Sequence, residues 1–351
     1  MAFLEFKNVK ISGIAAAVPK EIKEVKDLPF FAEGEAKKVI DLTKIERSRI
    51  AKDSVCASDL CYEAAQQLII DLDWDKNEID ALIFVSLSRD YLTPATSSLL
   101  QDRLGLSKEC YAIDIPLACS GYIYGLSVIS ALISSGSIRK ALLLVGETTS
   151  KLQSSLDKTI WPLHGDAGTA TALEFKEGEA GIKFHVATDG SRGDAIINPD
   201  GGARSPITES SLIMEKIGPG IIRNRTQSIL DGMNVFTFSI TEPPRSIRML
   251  CEHFNIDIQT IDYLLLHQAN KYMDDKIGKK LNVDSSKIPY CLMQYGNTSS
   301  ASIPLTMVAT MKDILKSAKL SVIMCGFGAG LSWGSVYLDL DKIICSKLIE
   351  I

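Results

Sequence analysis

The chain has no apolar run of the roughly 18 residues needed to span a bilayer. It also has no surplus of positive charge. Lys and Arg total 38 against 43 Asp and Glu, a net charge of −5 without long charge runs, which argues against a general nucleic-acid surface. The eight cysteines are scattered rather than framed as pairs. Cys56 and Cys61 stand too far apart for a tight zinc knuckle, and Cys251 with His253 is an isolated C-x-H, so no structural metal is expected. Near the start, Glu5, Lys7 and Lys10 interrupt any signal-peptide core. The thiols are therefore expected to be reduced and the chain cytoplasmic.

What is present is enough for two cores. Hydrophobic residues make up 46% of 351 positions, which suits two domains or one large duplicated fold. Two stretches align in order. One opens at "IDALIFVSLSRD" from Ile79 and the other at "IDYLLLHQANKY" from Ile261, each an apolar run read as a buried strand. Helical stretches follow, through "DRLGLSKE" and "KKLNVDSSK". Next come expected strands, "CYAIDIP" from Cys110 and "KIPYCLMQYG" from Lys287. Small polar joints, "ACSGY" and "GNTSSAS", then precede the apolar helices "IYGLSVISALI" and "IPLTMVATMKDIL". Buried strands ending in glycine close both halves, "ALLLVG" and "LSVIMCGFGAG". The shared order over about 70 residues implies a duplicated α/β unit with helices covering both sheets. The expected halves are residues 1–178 and 179–351.

The repeat sets Cys119 and Asn297 at equivalent joints, each just ahead of a helix, and His267 at the end of the second half's opening strand. If the halves pack about a pseudo-twofold axis, the three meet. A helix N-terminus favours a thiolate and supplies N–H groups for an oxyanion, so Cys119 is expected to have a lowered pKa. A cysteine with a histidine partner suits acyl transfer through a thioester. The glycine-rich "GFGAG", Gly326 to Gly330, lacks the strand–GxGxxG–helix setting of a nucleotide site and reads as backbone brought close to a ligand. His164 and Asp166 in "HGDAGTATALE" read as a tightly packed turn, not as a catalytic pair. Pro243 and Pro244 are expected to break a helix.

With Cys119 in "ACSGY", His267 in "HQAN", Asn297 in "YGNTSSASIP", a "FGDGAG"-like "HGDAGTA" and the ending "GFGAGLSWGS", the chain resembles the β-ketoacyl-[acyl-carrier-protein] synthase III family of the thiolase superfamily. The resemblance implies a thiolase-like α/β fold, two mixed units in a five-layer αβαβα arrangement, and a homodimer. It implies that Cys119 takes an acyl group from a thioester. His267 and Asn297 would then hold a malonyl-carrier-protein thioester while it loses CO₂. The N–H groups of Cys119 and Ala329 would form the oxyanion hole, and Thr93, Gly232, Phe236, Gln268 and Gly328 would contact substrate. Lys271, Lys276, Lys279 and Lys280 would meet an acidic acyl carrier protein. No resident cofactor or metal is implied; coenzyme A or phosphopantetheine thioesters are the substrates.

The chain departs from that pattern in places. Lys38 and Leu42 stand where the family has the Trp and Arg that grip coenzyme A, Tyr272 where it often has Arg, and Thr93 where some members have Phe. Alternatives remain within the superfamily. A degradative thiolase would use a second cysteine, for which Cys325 is one residue out of place. A hydroxymethylglutaryl-CoA synthase would need a glutamate where Ser86 and Ser88 stand. A specialised secondary-metabolite or polysaccharide enzyme moving the acyl group to O or N is another, as is a silent partner subunit, which would be expected to lack Cys119.

Overall fold

The apolar runs of the repeat become the central strands of two sheets. The computed structural model describes residues 2–351. In the larger sheet the strand order is Ile344–Cys345, Val9–Val18, Ala167–Phe175, Lys140–Glu147, Ala81–Val85 and Tyr111–Ile115, with Ile349–Glu350 also paired to Val9–Val18. The smaller is ordered Ala2–Phe6, Ile182–Thr188, Ser332–Asp341, Lys319–Gly328 and Tyr263–Leu266. Both mix parallel and antiparallel pairs. Ala81–Val85 is parallel to both neighbours, and Tyr263–Leu266 is parallel to Lys319–Gly328, with Leu266 opposite Cys325. Helices Gly121–Ser134 and Ser302–Thr310 lie between the sheets. Ala57–Asp71 and Thr96–Leu104 cover one outer face, Glu242–Phe254 and Lys271–Leu281 the other, which gives the five layers.

The central position of Gly121–Ser134 follows from its composition. Tyr122, Ile123, Leu126, Ile129 and Ile133 are fully buried along one face, and Tyr124, Val128 and Leu132 on the opposite side are half-buried. A helix apolar all round can only be stable inside a core. Each such side chain contributes about 1.5–3 kcal/mol by leaving water.

The 178/179 division separates the principal strands of the two sheets, but the chain ends cross it. Ala2–Phe6 pairs with Ile182–Thr188 in the second sheet, and the tail strands return to Val9–Val18 in the first. Composition and periodicity carry no sign of this exchange.

Two local expectations are corrected. "KIPYCLMQYG" is not a strand: it begins on the last residue of a 3₁₀ turn, Ser285–Lys287, and holds a short helix, Leu292–Tyr295. Pro289 lacks the donor a ladder needs, and the Cys291 N–H goes to the Gln268 side-chain oxygen at 3.3 Å. Pro243 and Pro244 open a helix rather than only breaking one. They occupy the first turn of Glu242–Phe254, where no intrahelical N–H is needed, and the preceding helix, Gly232–Ser239, ends just before them.

Candidate active site

The two central helices start on the same side of the molecule, so their joints face one cavity of about 610 Å³. Cys119, His267 and Asn297 all line it. The larger sheet delivers Cys119 just beyond strand Tyr111–Ile115, two residues before the first helical residue, Gly121. The neighbouring Ser120 is tied to the glycine loop by a 2.7 Å bond between its hydroxyl and that of Ser332. That loop must carry glycine. A Cβ on Gly328 would lie 2.6 Å from Cys119 Cβ and 3.0 Å from its Sγ. Among the described residues, the N–H groups of Cys119 and Ala329 donate to no backbone carbonyl, and both residues line the cavity.

His267 follows strand Tyr263–Leu266 and is anchored by its N–H to the Cys325 carbonyl at 2.9 Å. Its Nδ1 lies 2.8 Å from the Ser302 hydroxyl at the start of the second central helix. Asn297 is held by a backbone bridge. Its N–H donates to the Leu163 carbonyl at 2.8 Å, and its carbonyl accepts from Gly165 at 3.1 Å. Gly165 makes that approach possible, since a Cβ there would fall 2.1 Å from the Tyr295 carbonyl oxygen. The Asn297 Oδ1 accepts the Ser299 N–H at 2.8 Å.

Family models for the two parts of 3-oxoacyl-[acyl-carrier-protein (ACP)] synthase III match the chain, one over residues 113–190 and the C-terminal one over 251–340. The β-ketoacyl-[acyl-carrier-protein] synthase III of Streptococcus pneumoniae strain Hungary19A-6 is 31% identical over 94% of this chain and 99% of its own length. The chain belongs to the 3-oxoacyl-[acyl-carrier-protein] synthase III family. The solved 3-oxoacyl-(acyl-carrier protein) synthase of Burkholderia xenovorans LB400 superposes with a TM-score of 0.93 at 33% identity, covering 100% of this chain and 99% of that one. For the synthase III of Pseudomonas aeruginosa PAO1 the TM-score is 0.84 at 25% identity, over 96% and 100%. Membership makes this chain a transferase of the thiolase-like type, a condensing acyltransferase by family.

The electrostatics of this family member are set by burial. His267 is 2% exposed, and desolvation, followed by the neighbouring His164, lowers its pKa to about 3, so the ring is neutral. Ser302's hydroxyl both donates and accepts, so it serves either tautomer of His267 and lets Nε2 act as base or as N–H donor. Cys119 departs from expectation. Burial pushes its thiol up to about 11, and the 3.5 Å contact with the Ser299 hydroxyl offsets only part of that. Cys119 precedes the first helical residue, Gly121, and is buried where it faces the cavity. The resting form is a thiol, and its proton must leave as the acyl group arrives.

Several expected contacts fall elsewhere. Gly232 and Gly328 line the cavity. Phe236 does not: on helix Gly232–Ser239 the cavity face is Gly232, Val235 and Ser239, one helical stripe, while Phe236 stacks on Tyr272 at 5.9 Å. Gln268 is fully buried, donates to the Leu266 carbonyl at 3.1 Å and does not line the cavity, so it braces the loop. Thr93 is exposed on a loop outside the cavity, beside Tyr91 and Leu92. Among the lysines, Lys271 is paired with Asp275 at 2.7 Å, Lys280 donates to the Ile240 carbonyl at 2.7 Å, and Lys276 lies over the Tyr272 ring. Lys279 is exposed with no ion pair among the described residues. Cys325 is buried in the smaller sheet, bonded to Ser335, and does not line the cavity.

Two cavity residues were not legible as such. His164, in a stretch whose small residues suggest a tight turn, lines the cavity beside Asn297. Glu147 ends strand Lys140–Glu147 and also lines it. Its carboxylate accepts from the Leu87 and Ser88 N–H groups and from the hydroxyls of Ser86, Ser88 and Ser300, so it braces the cavity wall. Burial nonetheless raises its pKa to about 7.

Proposed function

We propose that the chain makes a carbon–carbon bond by decarboxylative condensation, extending an acyl primer with malonyl-acyl-carrier-protein through an acyl-Cys119 intermediate to give a 3-oxoacyl-carrier-protein. In the first half, Cys119 Sγ attacks the primer thioester, its proton passes to His267 Nε2, and the leaving thiol recovers that proton. The N–H groups of Cys119 and Ala329 receive the oxyanion. In the second half, N–H donors of His267 and Asn297 grip the malonyl thioester oxygen. The bond to the carboxylate breaks, CO₂ leaves, and the electron pair is held as an enolate. The enolate attacks the acyl carbonyl, the new carbon–carbon bond forms, and Cys119 leaves as a thiolate that takes up a proton. The observation that carries this reading is the convergence of Cys119, His267 and Asn297 on one cavity, with Asn297 anchored by backbone.

The primer is best delivered on the phosphopantetheine arm of a carrier protein. Val39 and Leu42 of helix Glu35–Thr43 make the cavity wall apolar, and Lys158 there is paired with Glu35 at 2.7 Å, which suits a neutral pantetheine better than a charged nucleotide. The exposed Lys276 and Lys279 supply positive charge for an acidic carrier. The exposed Leu87, Tyr91 and Leu92 supply an apolar face for a homodimer. Intact-mass spectrometry after incubation with matched acyl-CoA and acyl-carrier-protein panels tests the reading. One acyl adduct on Cys119, formed faster from the carrier thioester and absent from Cys119→Ala, is expected. An adduct on another cysteine refutes the nucleophile, and faster loading from CoA refutes the primer assignment.

A further inference from the structure

His164 faces Asn297 across their parallel backbone bridge. Its Nδ1 lies 3.2 Å from the Ile160 carbonyl, which can only accept, so Nδ1 carries the ring proton. Nε2 is therefore a bare lone pair, and it lies 3.4 Å from Nδ2 of Asn297, which can only donate. The opposite end of that amide, Oδ1, takes the Ser299 N–H at 2.8 Å. The orientation of the amide thus follows from partners of fixed polarity. With one Nδ2–H on His164 and Oδ1 on Ser299, the amide plane is pinned at both ends, and the second Nδ2–H is the group left for a ligand in the cavity.

We propose that His164 is a positioning residue for the condensing half-reaction: its Nε2 lone pair holds one Nδ2–H of Asn297 and so aims the other at the malonyl thioester oxygen as the enolate forms. The proposal rests on the role given to Asn297 above. A donor fixed before the reaction stabilises developing charge without reorganising. The turn that carries the ring is held from below. Lys23 donates to the carbonyls of His164, at 2.9 Å, and of Trp161. Burial lowers the His164 pKa to about 4, which keeps the lone pair available through neutral pH.

The test uses the full-length enzyme and malonyl-carrier-protein labelled in the free carboxylate, with CO₂ release as readout and iodoacetamide alkylation of Cys119 as a check on the rest of the site. His164→Phe keeps the ring and removes the acceptor. It should lower kcat for CO₂ release about tenfold, as expected for one aligned hydrogen bond, with KM and the alkylation rate within twofold of the parent. His164→Gln places a carboxamide oxygen near the position of Nε2 and should recover most of the loss. In an Asn297→Ala background, His164→Phe should cost less than twofold. Parent-like CO₂ release by His164→Phe alongside a slow Asn297→Ala overturns the proposal alone, as does a Gln variant as slow as Phe or a full loss that persists without Asn297. Parent-like release by Asn297→Ala overturns the underlying reading of the site.

Discussion

Replacing Asp274 should stabilise the protein, increasingly so as pH rises. Asp274 lies on helix Lys271–Leu281, is fully buried, and neither carboxylate oxygen has a hydrogen-bond partner among the described residues. Burial first, then the adjacent Asp275, raises its pKa well above the usual carboxylate value, while Lys271 pulls weakly the other way. The folded state therefore holds the proton after the unfolded chain has lost it. Stability contributed by protonated Asp274 is present below the unfolded pKa, near 4, and is lost as pH rises from there to the folded pKa. Across that window the loss runs at about 1.4 kcal/mol per pH unit. Asp274→Asn keeps the shape and abolishes the titration, so its advantage should be near zero at pH 4 and widen by up to that slope. With an unfolding entropy of about 2.1 cal/mol/K per residue, each kcal/mol should move Tm by about 1.4 °C for this chain. Asp274→Leu also removes the unpaired polar group, a further gain of about 1–3 kcal/mol before any cost of the larger side chain. Calorimetry of parent and both variants at pH 5, 6 and 7 decides it. A Tm gap between Asp274→Asn and parent that is constant across those pH values would refute the reasoning.

Other outcomes follow from the same geometry. Asn297→Ala should still form the acyl-enzyme at the parent rate, while His267→Ala, which loses the group that takes the Cys119 proton, should form it more slowly; each should lose roughly 10²–10³ in malonyl decarboxylation, the range seen when an oxyanion donor is removed, as measured by labelled CO₂. Gly165→Ala should cut decarboxylation and lower Tm together, because its Cβ would sit 2.1 Å from the Tyr295 carbonyl oxygen and force apart the bridge that holds Asn297. Gly328→Ala should slow acyl loading at least tenfold while leaving bulk circular dichroism unchanged, since the clash is local to Cys119. Alkylation of resting Cys119 by iodoacetamide should climb about tenfold per pH unit from pH 7 to 9, as expected for a thiol whose pKa burial has raised to about 11. A plateau below pH 8 would mean the helix terminus outweighs desolvation.

Much of the fold was legible because it is written in local periodicity. Continuous apolar runs such as "ALLLVG" announce strands covered on both faces, and the all-round apolar "IYGLSVISALI" announces a central helix. The duplicated order was enough to bring Cys119, His267 and Asn297 together, because equivalent joints in two packed halves must face one another. Where reading by repeat failed, a local feature overrode the symmetry. Pro289 and the Gln268 side chain kept "KIPYCLMQYG" out of the sheet. A rotation of one helical position turned Phe236 away and put Val235 in the cavity.

From the sequence alone came the chemistry: a cysteine, a histidine and an asparagine at the ends of buried elements, and a glycine loop able to approach them. Residue type and chain order determine those, and neither depends on the environment of a side chain. The environments belonged to the tertiary structure. It decided that Cys119 rests as a thiol and that Glu147 is consumed in bracing a wall. It also decided that His164, from a turn more than 130 residues away, is the group that holds Asn297. Desolvation and hydrogen-bond partners are sums over neighbours distant in the chain, and they exist only once the two sheets have closed on the helices between them.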